Sequence, residues 1–168
     1  MRGEDEAEYR DYVARRAAGL RRTAFLLCGD WHRAEDLVQH ALTSLYTHWR
    51  RVRDRDSLDA YVRAALVRKA IDESRRPWRR EHATADLPDV VVPGAFAIED
   101  REEVRAALRR LPARQRAVVV LRFYDDVDVA ETARLMGCSE GTVKSYTARA
   151  LATLRAVLVP VAQDERRP

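Results

Sequence analysis

The stretch VAETARLMGCSEGTVKSYTARAL, residues 129–151, reads as two helices separated only by a Gly-Cys-Ser break. Ala133 is small enough to let a second helix approach the first, Gly137 supplies the positive φ that a tight turn needs, and Val143 is the apolar residue that packs the second helix back. Cys138 fills the buried position after the glycine, and Ser139 is placed to cap the new helix. At about 100° per residue, Val143, Thr147, Ala150 and Leu154 fall on an inner face, while Lys144, Ser145, Ala148 and Arg149 point away. Gly141 and Thr142 keep the N-terminal end of that helix slim, where backbone N–H groups and the positive helix end favour an approaching phosphate. A helix-turn-helix whose outer face suits a major groove is therefore expected. A helical hairpin packed for stability alone would share the inner face but has no need of the outer one.

Working outward, the rest of the chain is also helical in period. Tyr9, Val13, Ala17, Leu20, Ala24 and Leu27 recur every three or four residues and predict a helix over Tyr9–Leu27 that Gly29 ends. Asp30 is placed to cap a second helix, in which Ala34, Leu37, Val38, Ala41, Leu42, Leu45 and Trp49 form one stripe. The charged loop RRVRDRDS, residues 50–57, follows. Ser57 is read as the N-cap of a third helix running from Leu58 to about Arg76, where Pro77 stops it. No segment alternates with period two for long enough to argue a strand, although the apolar run before Phe123 is ambiguous on local propensity. The fold class expected is all-α.

Charge divides the chain further. Residues 50–80 hold eleven Arg or Lys against five acids, residues 81–103 hold seven acids against one arginine, and residues 104–158 turn basic again, ten against five. The acidic stretch EHATADLPDVVVPGAFAIED carries Pro88, Pro93 and Gly94 and no helical period, so it reads as a flexible linker between two basic modules. The expected boundaries are 1–80 for the first module, 81–98 for the linker, 99–160 for the second module and 161–168 for a C-terminal tail. Net charge is +4. No apolar run reaches eighteen residues and the N-terminus lacks a signal-like apolar stretch, so no membrane insertion and a cytoplasmic location are expected. Cys28 and Cys138 match no metal-ligand spacing and read as reduced core thiols.

These segments resemble the bacterial extracytoplasmic-function RNA polymerase sigma factors, group 4 of the sigma-70 family. LRRLPARQRAVVVLRFYDDVDVAETARLMGCSEGTVKSYTARALATLR (108–155) is similar to region 4, GDWHRAEDLVQHAL (29–42) to region 2.2, and LDAYVRAALVRKAIDESRR (58–76) to the promoter-melting helix. The wording AEDLVQ and LLCGD is that of the actinobacterial, SigE-like subgroup. The resemblance implies two small helical domains, core RNA polymerase as partner through its β′ coiled coil and β flap, promoter DNA, and an anti-sigma protein. It implies that Glu35, Asp36, Leu37, Val38 and Gln39 dock on polymerase, a leucine–valine pair with a charged rim. It implies −10 element contacts from Trp49, Arg50, Arg51, Arg53, Arg55, Tyr61, Arg68, Arg75 and Arg76, where arginines would hold the displaced strand and aromatic rings would stack on it. Tyr61, in the place of a family tryptophan, is read as more core than surface. The −35 element falls to Ser139, Gly141, Thr142, Lys144, Ser145, Ala148 and Arg149.

Three positions depart from the family pattern: Arg68 stands for an asparagine, Thr132 for a larger aliphatic residue, and His40 for an acid. Two other classes compete. A stand-alone helix-turn-helix regulator would explain the second module and leave AEDLVQ without a purpose. A metal-dependent helical enzyme could use Cys28, His32, Asp36 and His40, but the break at Gly29 takes Cys28 off that face. No catalytic grouping is present, so neither enzymatic activity nor a cofactor is expected.

Overall fold

The computed structural model describes residues 3–52, 55–76 and 102–158, with the backbone alone for 55–57. The expected linker 81–98 and tail 161–168 lie outside the described residues. Those described contain α-helices and helical turns and no strand.

Helix α1 (Gly3–Cys28) begins six residues earlier than the apolar period suggests. Its opening carries Glu4, Asp5 and Glu6, whose charge suits the positive helix end, so electrostatics extends the helix beyond the last core contact. Gly29 ends it with φ +75°. Asp30 then caps α2 (Trp31–His48), its carboxylate accepting from the Arg33 N–H at 2.9 Å. The whole stripe from Ala34 to Trp49 is buried, including both Leu37 and Val38. After a 3-10 turn at Trp49–Arg51 comes α3 (Arg55–Ser74). Ser57 therefore lies inside this helix rather than capping it.

The second module comprises α4 (Glu102–Arg109), α5 (Ala113–Val119), α6 (Val129–Met136) and α7 (Glu140–Leu158). The ambiguous apolar run is helical: α5 continues into a π turn, Val120–Tyr124, where Asp125 N–H donates to the Val120 carbonyl at 3.0 Å. Its valines are buried among α-helices, so packing overrides their strand propensity. Asp128 caps α6 and Gly137 closes it with φ +63°.

The two modules pack on each other. Helix α6 lies against α3, and α4 and α5 lie against α1, so one apolar core runs from Tyr12 and Leu66 through to Val118 and Val143.

Candidate nucleic-acid and polymerase interface

Helix α7 sorts its residues as its period demands. Val143 and Ala150 are fully buried and Thr147 and Leu154 half-buried, whereas Gly141, Lys144, Ser145, Ala148 and Arg149 are exposed. Ser139 Oγ accepts from the Thr142 N–H at 3.1 Å, and the two hydroxyls are 2.9 Å apart. A Cβ at Gly141 would meet only the Ser139 hydroxyl, at 3.8 Å. No packing demand explains the glycine, which costs an exposed helix about 1 kcal/mol relative to alanine. Cys138 is half-buried rather than wholly so. Thr132 is fully buried, and its hydroxyl has no hydrogen-bond partner.

Helix α2 presents a different mixture. Asp36 and Gln39 are exposed and Glu35 half-exposed on one side. The Arg21 guanidinium, 2.5 Å from Glu35, holds that carboxyl below its ordinary range, and Gln39 donates to Glu35 at 3.3 Å. Leu37 and Val38 contribute nothing to that surface. Because α2 is covered by α1 on one flank and α3 on the other, its buried stripe is wide enough to take two successive residues. The expected apolar pair at a docking surface is thus a core pair.

Around the 3-10 turn, Trp49 is also core, only 6% exposed, with Tyr9 packed edge-on against it at 5.6 Å. It closes the α2 stripe, and this keeps its ring from a solvent-facing role. Arg50 and Arg51 are exposed, with Arg50 3.9 Å from Asp5. Arg53 and the Arg55 side chain lie outside the described residues. The exposed ring here is Tyr46, 44% accessible and beside Trp49, Arg50 and Arg51 along a cavity of about 450 Å³. Tyr46 escaped the sequence reading, although it lies about 100° off the apolar stripe and so had to point outward.

Between α2 and α3 runs a smaller cleft of about 200 Å³, lined by His40, Ser44, Tyr61, Arg68, Lys69 and Asp72 among others. Tyr61 is half-buried, its ring packed against the core and its hydroxyl 2.8 Å from Ser44 Oγ and 3.1 Å from His48 Nδ1. Arg68, Arg75 and Arg76 are exposed along the same helix and its end. Ser44 and Lys69 join this cleft without any sequence signal that singles them out, and His48 reaches its edge only through Tyr61.

Among the described residues no group of three His, Cys, Asp or Glu is placed to hold a metal. Cys28 is half-buried, its thiol donating to the Asp30 carbonyl at 3.2 Å and pushed up by desolvation to about 11, which disfavours the reactive thiolate.

The family models match both halves. The model for Sigma-70 region 2 matches residues 10–80, and that for Sigma-70 region 4 matches residues 101–154. The RNA polymerase sigma-E factor of Streptomyces coelicolor is 37% identical over 160 residues, covering 95% of this chain and 90% of that one. The chain belongs to the extracytoplasmic-function sigma factors of the sigma-70 family. The ECF sigma factor SigM of Mycobacterium tuberculosis is 36% identical over 141 residues, 83% of this chain and 71% of its own length. The sigma factor RpoE of Bartonella quintana, solved with the anti-sigma factor NepR, shares the fold with a TM-score of 0.72 at 23% identity, covering 90% of this chain and 96% of that one. As a sigma factor the chain binds core RNA polymerase and promoter DNA and directs transcription initiation, within a family of non-enzymatic initiation factors. None of the helices of the described residues is long and apolar enough to cross a membrane.

Proposed function

We propose that the two exposed surfaces divide the work of promoter recognition, with α7 reading the −35 element and the α2–α3 cleft with the Tyr46–Arg51 ridge holding the opened −10 element. Residues 1–80 and 99–160 are the corresponding domains, joined by the acidic segment 81–98. The observation that carries this reading is Gly141: an exposed helix-opening glycine with no packing role, between a hydroxyl cap and the exposed Lys144, Ser145, Ala148 and Arg149. It lets backbone N–H groups come close to a phosphate while side chains one turn on reach base edges.

In the first domain, Asp36, Gln39 and the Arg21–Glu35 pair form the polymerase-docking rim, and the apolar part of that contact comes from residues other than Leu37 and Val38. Tyr46 takes the stacking role first read for Trp49. Arg50, Arg51, Arg53, Arg55, Arg68, Arg75 and Arg76 supply the positive charge that a displaced strand requires. The chain works in the cytoplasm and performs no catalysis of its own. An anti-sigma protein is a partner, as NepR is for the Bartonella factor.

The test is binding of Arg149→Ala and Lys144→Ala chains, in holoenzyme, to a randomised upstream element at two salt concentrations. Arginine bonded bidentately to guanine gives about 1–3 kcal/mol of discrimination, so Arg149→Ala relaxes preference at one or two base pairs. Lys144→Ala relaxes preference likewise or lowers affinity for all sequences with a shallower salt slope. Unaltered preference in both variants would refute α7 as the reader.

A further inference from the structure

At the end of α2, Nδ1 of His48 faces three oxygens: the Ser44 carbonyl at 2.8 Å, the Thr47 hydroxyl at 3.0 Å and the Tyr61 hydroxyl at 3.1 Å. The carbonyl is the nearest of them and can only accept. The Thr47 hydroxyl gives its one proton to the same Ser44 carbonyl at 2.9 Å, so toward the imidazole it too can only accept. The Tyr61 hydroxyl has Ser44 Oγ, 2.8 Å away, to take its proton. A lone pair on Nδ1 would therefore point at two acceptors 3.0 Å away or less. Nδ1 carries the ring proton instead, as in a histidine that closes the last carbonyls of a helix. The neutral ring is then left with its lone pair on Nε2.

Nε2 meets no hydrogen-bonding group among the described residues, and His48 is exposed. The ring stands 6.0 Å from that of Tyr61 and is tilted 42° to it, so hydrogen bonds rather than ring stacking set its orientation. It lines the ridge cavity of about 450 Å³ together with Tyr46, Thr47, Trp49, Arg50 and Arg51. The arginines and the Trp49 indole offer N–H donors only, and each hydroxyl carries a proton. Among the side chains lining that cavity, His48 alone offers an acceptor atom with no proton of its own.

A strand opened across the ridge stacks a base on Tyr46 and turns the edge of that base toward the neighbouring side chains. Adenine, cytosine and guanine each carry an exocyclic amine that projects from the ring. Thymine has none, and its single N–H lies between two carbonyl oxygens that a lone pair on Nε2 repels. An acceptor fixed at this place therefore discriminates against thymine.

We propose that His48 is a specificity-determining residue for the opened −10 strand, accepting at Nε2 a hydrogen bond from the exocyclic amine of one base and so excluding thymine at that position. The proposal rests on the reading of the ridge as the holder of that strand. Ser44, Thr47 and Tyr61 act as positioning residues, which keep the proton on Nδ1 and thereby the lone pair on Nε2. The Ser44 carbonyl belongs to the helix backbone, so the assignment survives when the Tyr61 hydroxyl exchanges its partner for the strand.

The test has holoenzyme, carrying the full-length chain, select from a pool of randomised single-stranded −10 oligonucleotides. With the parent chain, thymine is depleted about threefold to tenfold at one position, the size of one hydrogen bond. Replacing the selected base there by the same base without its exocyclic amine, purine for adenine or hypoxanthine for guanine, weakens binding by a similar factor. His48→Asn keeps an amide N–H for the Ser44 carbonyl but ends short of the Nε2 place, so it melts like the parent, loses the thymine exclusion and binds base and analogue equally. His48→Gln, whose amide oxygen reaches the Nε2 place, recovers the exclusion. The analogue measurement on the parent chain needs no variant and stands if either substitution unfolds the protein. Full thymine exclusion in His48→Asn, the result for a histidine that only closes α2, overturns the proposal, as does a parent chain that depletes thymine at no position. Tyr46→Ala in the same selection separates the two readings: unchanged affinity there refutes the ridge as the strand holder, whereas lowered affinity there with thymine exclusion intact in His48→Asn refutes the role of His48 alone.

Discussion

The outer face of α7 and the cleft between α2 and α3 are both exposed and both basic, but they are assembled differently. On α7 one helix supplies every proposed contact, and its side chains project from a backbone fixed by Ser139, Gly137 and the buried Val143. The cleft is shared by two helices, and its hydroxyls are already bonded: Tyr61 to Ser44 within it and to the His48 imidazole at its edge. A single rigid face suits an intact duplex, whose grooves have fixed geometry. A cleft whose hydroxyls and imidazole must exchange partners suits a strand that arrives only after bases unstack, because the bonds given up can be replaced by bonds to the displaced bases.

The sharpest way to break this contrast is through α2, where core and surface are interleaved. Leu37→Ala should cost about 2–5 kcal/mol of stability, as a fully buried leucine does, seen as a large fall in the urea midpoint. Asp36→Ala with Gln39→Ala should leave stability and the helical CD spectrum unchanged while weakening polymerase binding. If Leu37→Ala instead kept full stability and lost polymerase, the apolar pair would be a docking surface after all.

A smaller effect is expected at the ridge beside the cleft. Tyr46→Ala should weaken binding of a single-stranded −10 oligonucleotide by holoenzyme by about 1–3 kcal/mol, the range for loss of one stacked base. Duplex −35 binding should not change. Equal losses on both substrates would erase the distinction between the two surfaces.

The smallest effect concerns the support under α7. Thr132→Val removes a buried hydroxyl with no partner at nearly constant volume, and should raise stability by about 1 kcal/mol. Promoter preference should stay the same, since Thr132 lies beneath the helix-turn-helix and not on its outer face. A changed preference would show that the outer face is not independent of its packing.

How far the sequence could be read follows from the same contrast. On α7 inner and outer residues separate at helical period, so Val143 and Ala150 could be assigned to the core and Lys144 and Arg149 to the surface from spacing alone. On α2, covered on two flanks, the buried stripe widens, and spacing could not tell that both Leu37 and Val38 face inward. Trp49 completes the apolar stripe and also stands beside an arginine-rich loop, so spacing alone leaves both a core and a stacking role open, and the structure buries its ring. The start of α1 was missed because its first turns are stabilised by acids at the helix end and bury little. The contact of Asp125 with Thr23 joins residues 102 apart in sequence through a π turn, which has no signature in periodicity.

The central claim is that this chain brings core polymerase to promoters by reading two separated elements. The most direct measurement is transcription by core RNA polymerase, with and without the protein, from a library of randomised upstream sequences. The account predicts start sites that appear only with the protein and share two motifs at fixed spacing, the upstream motif losing definition with Arg149→Ala and the downstream motif with Tyr46→Ala. Start sites that appear equally without the protein, or a single shared motif unaffected by either substitution, would contradict it.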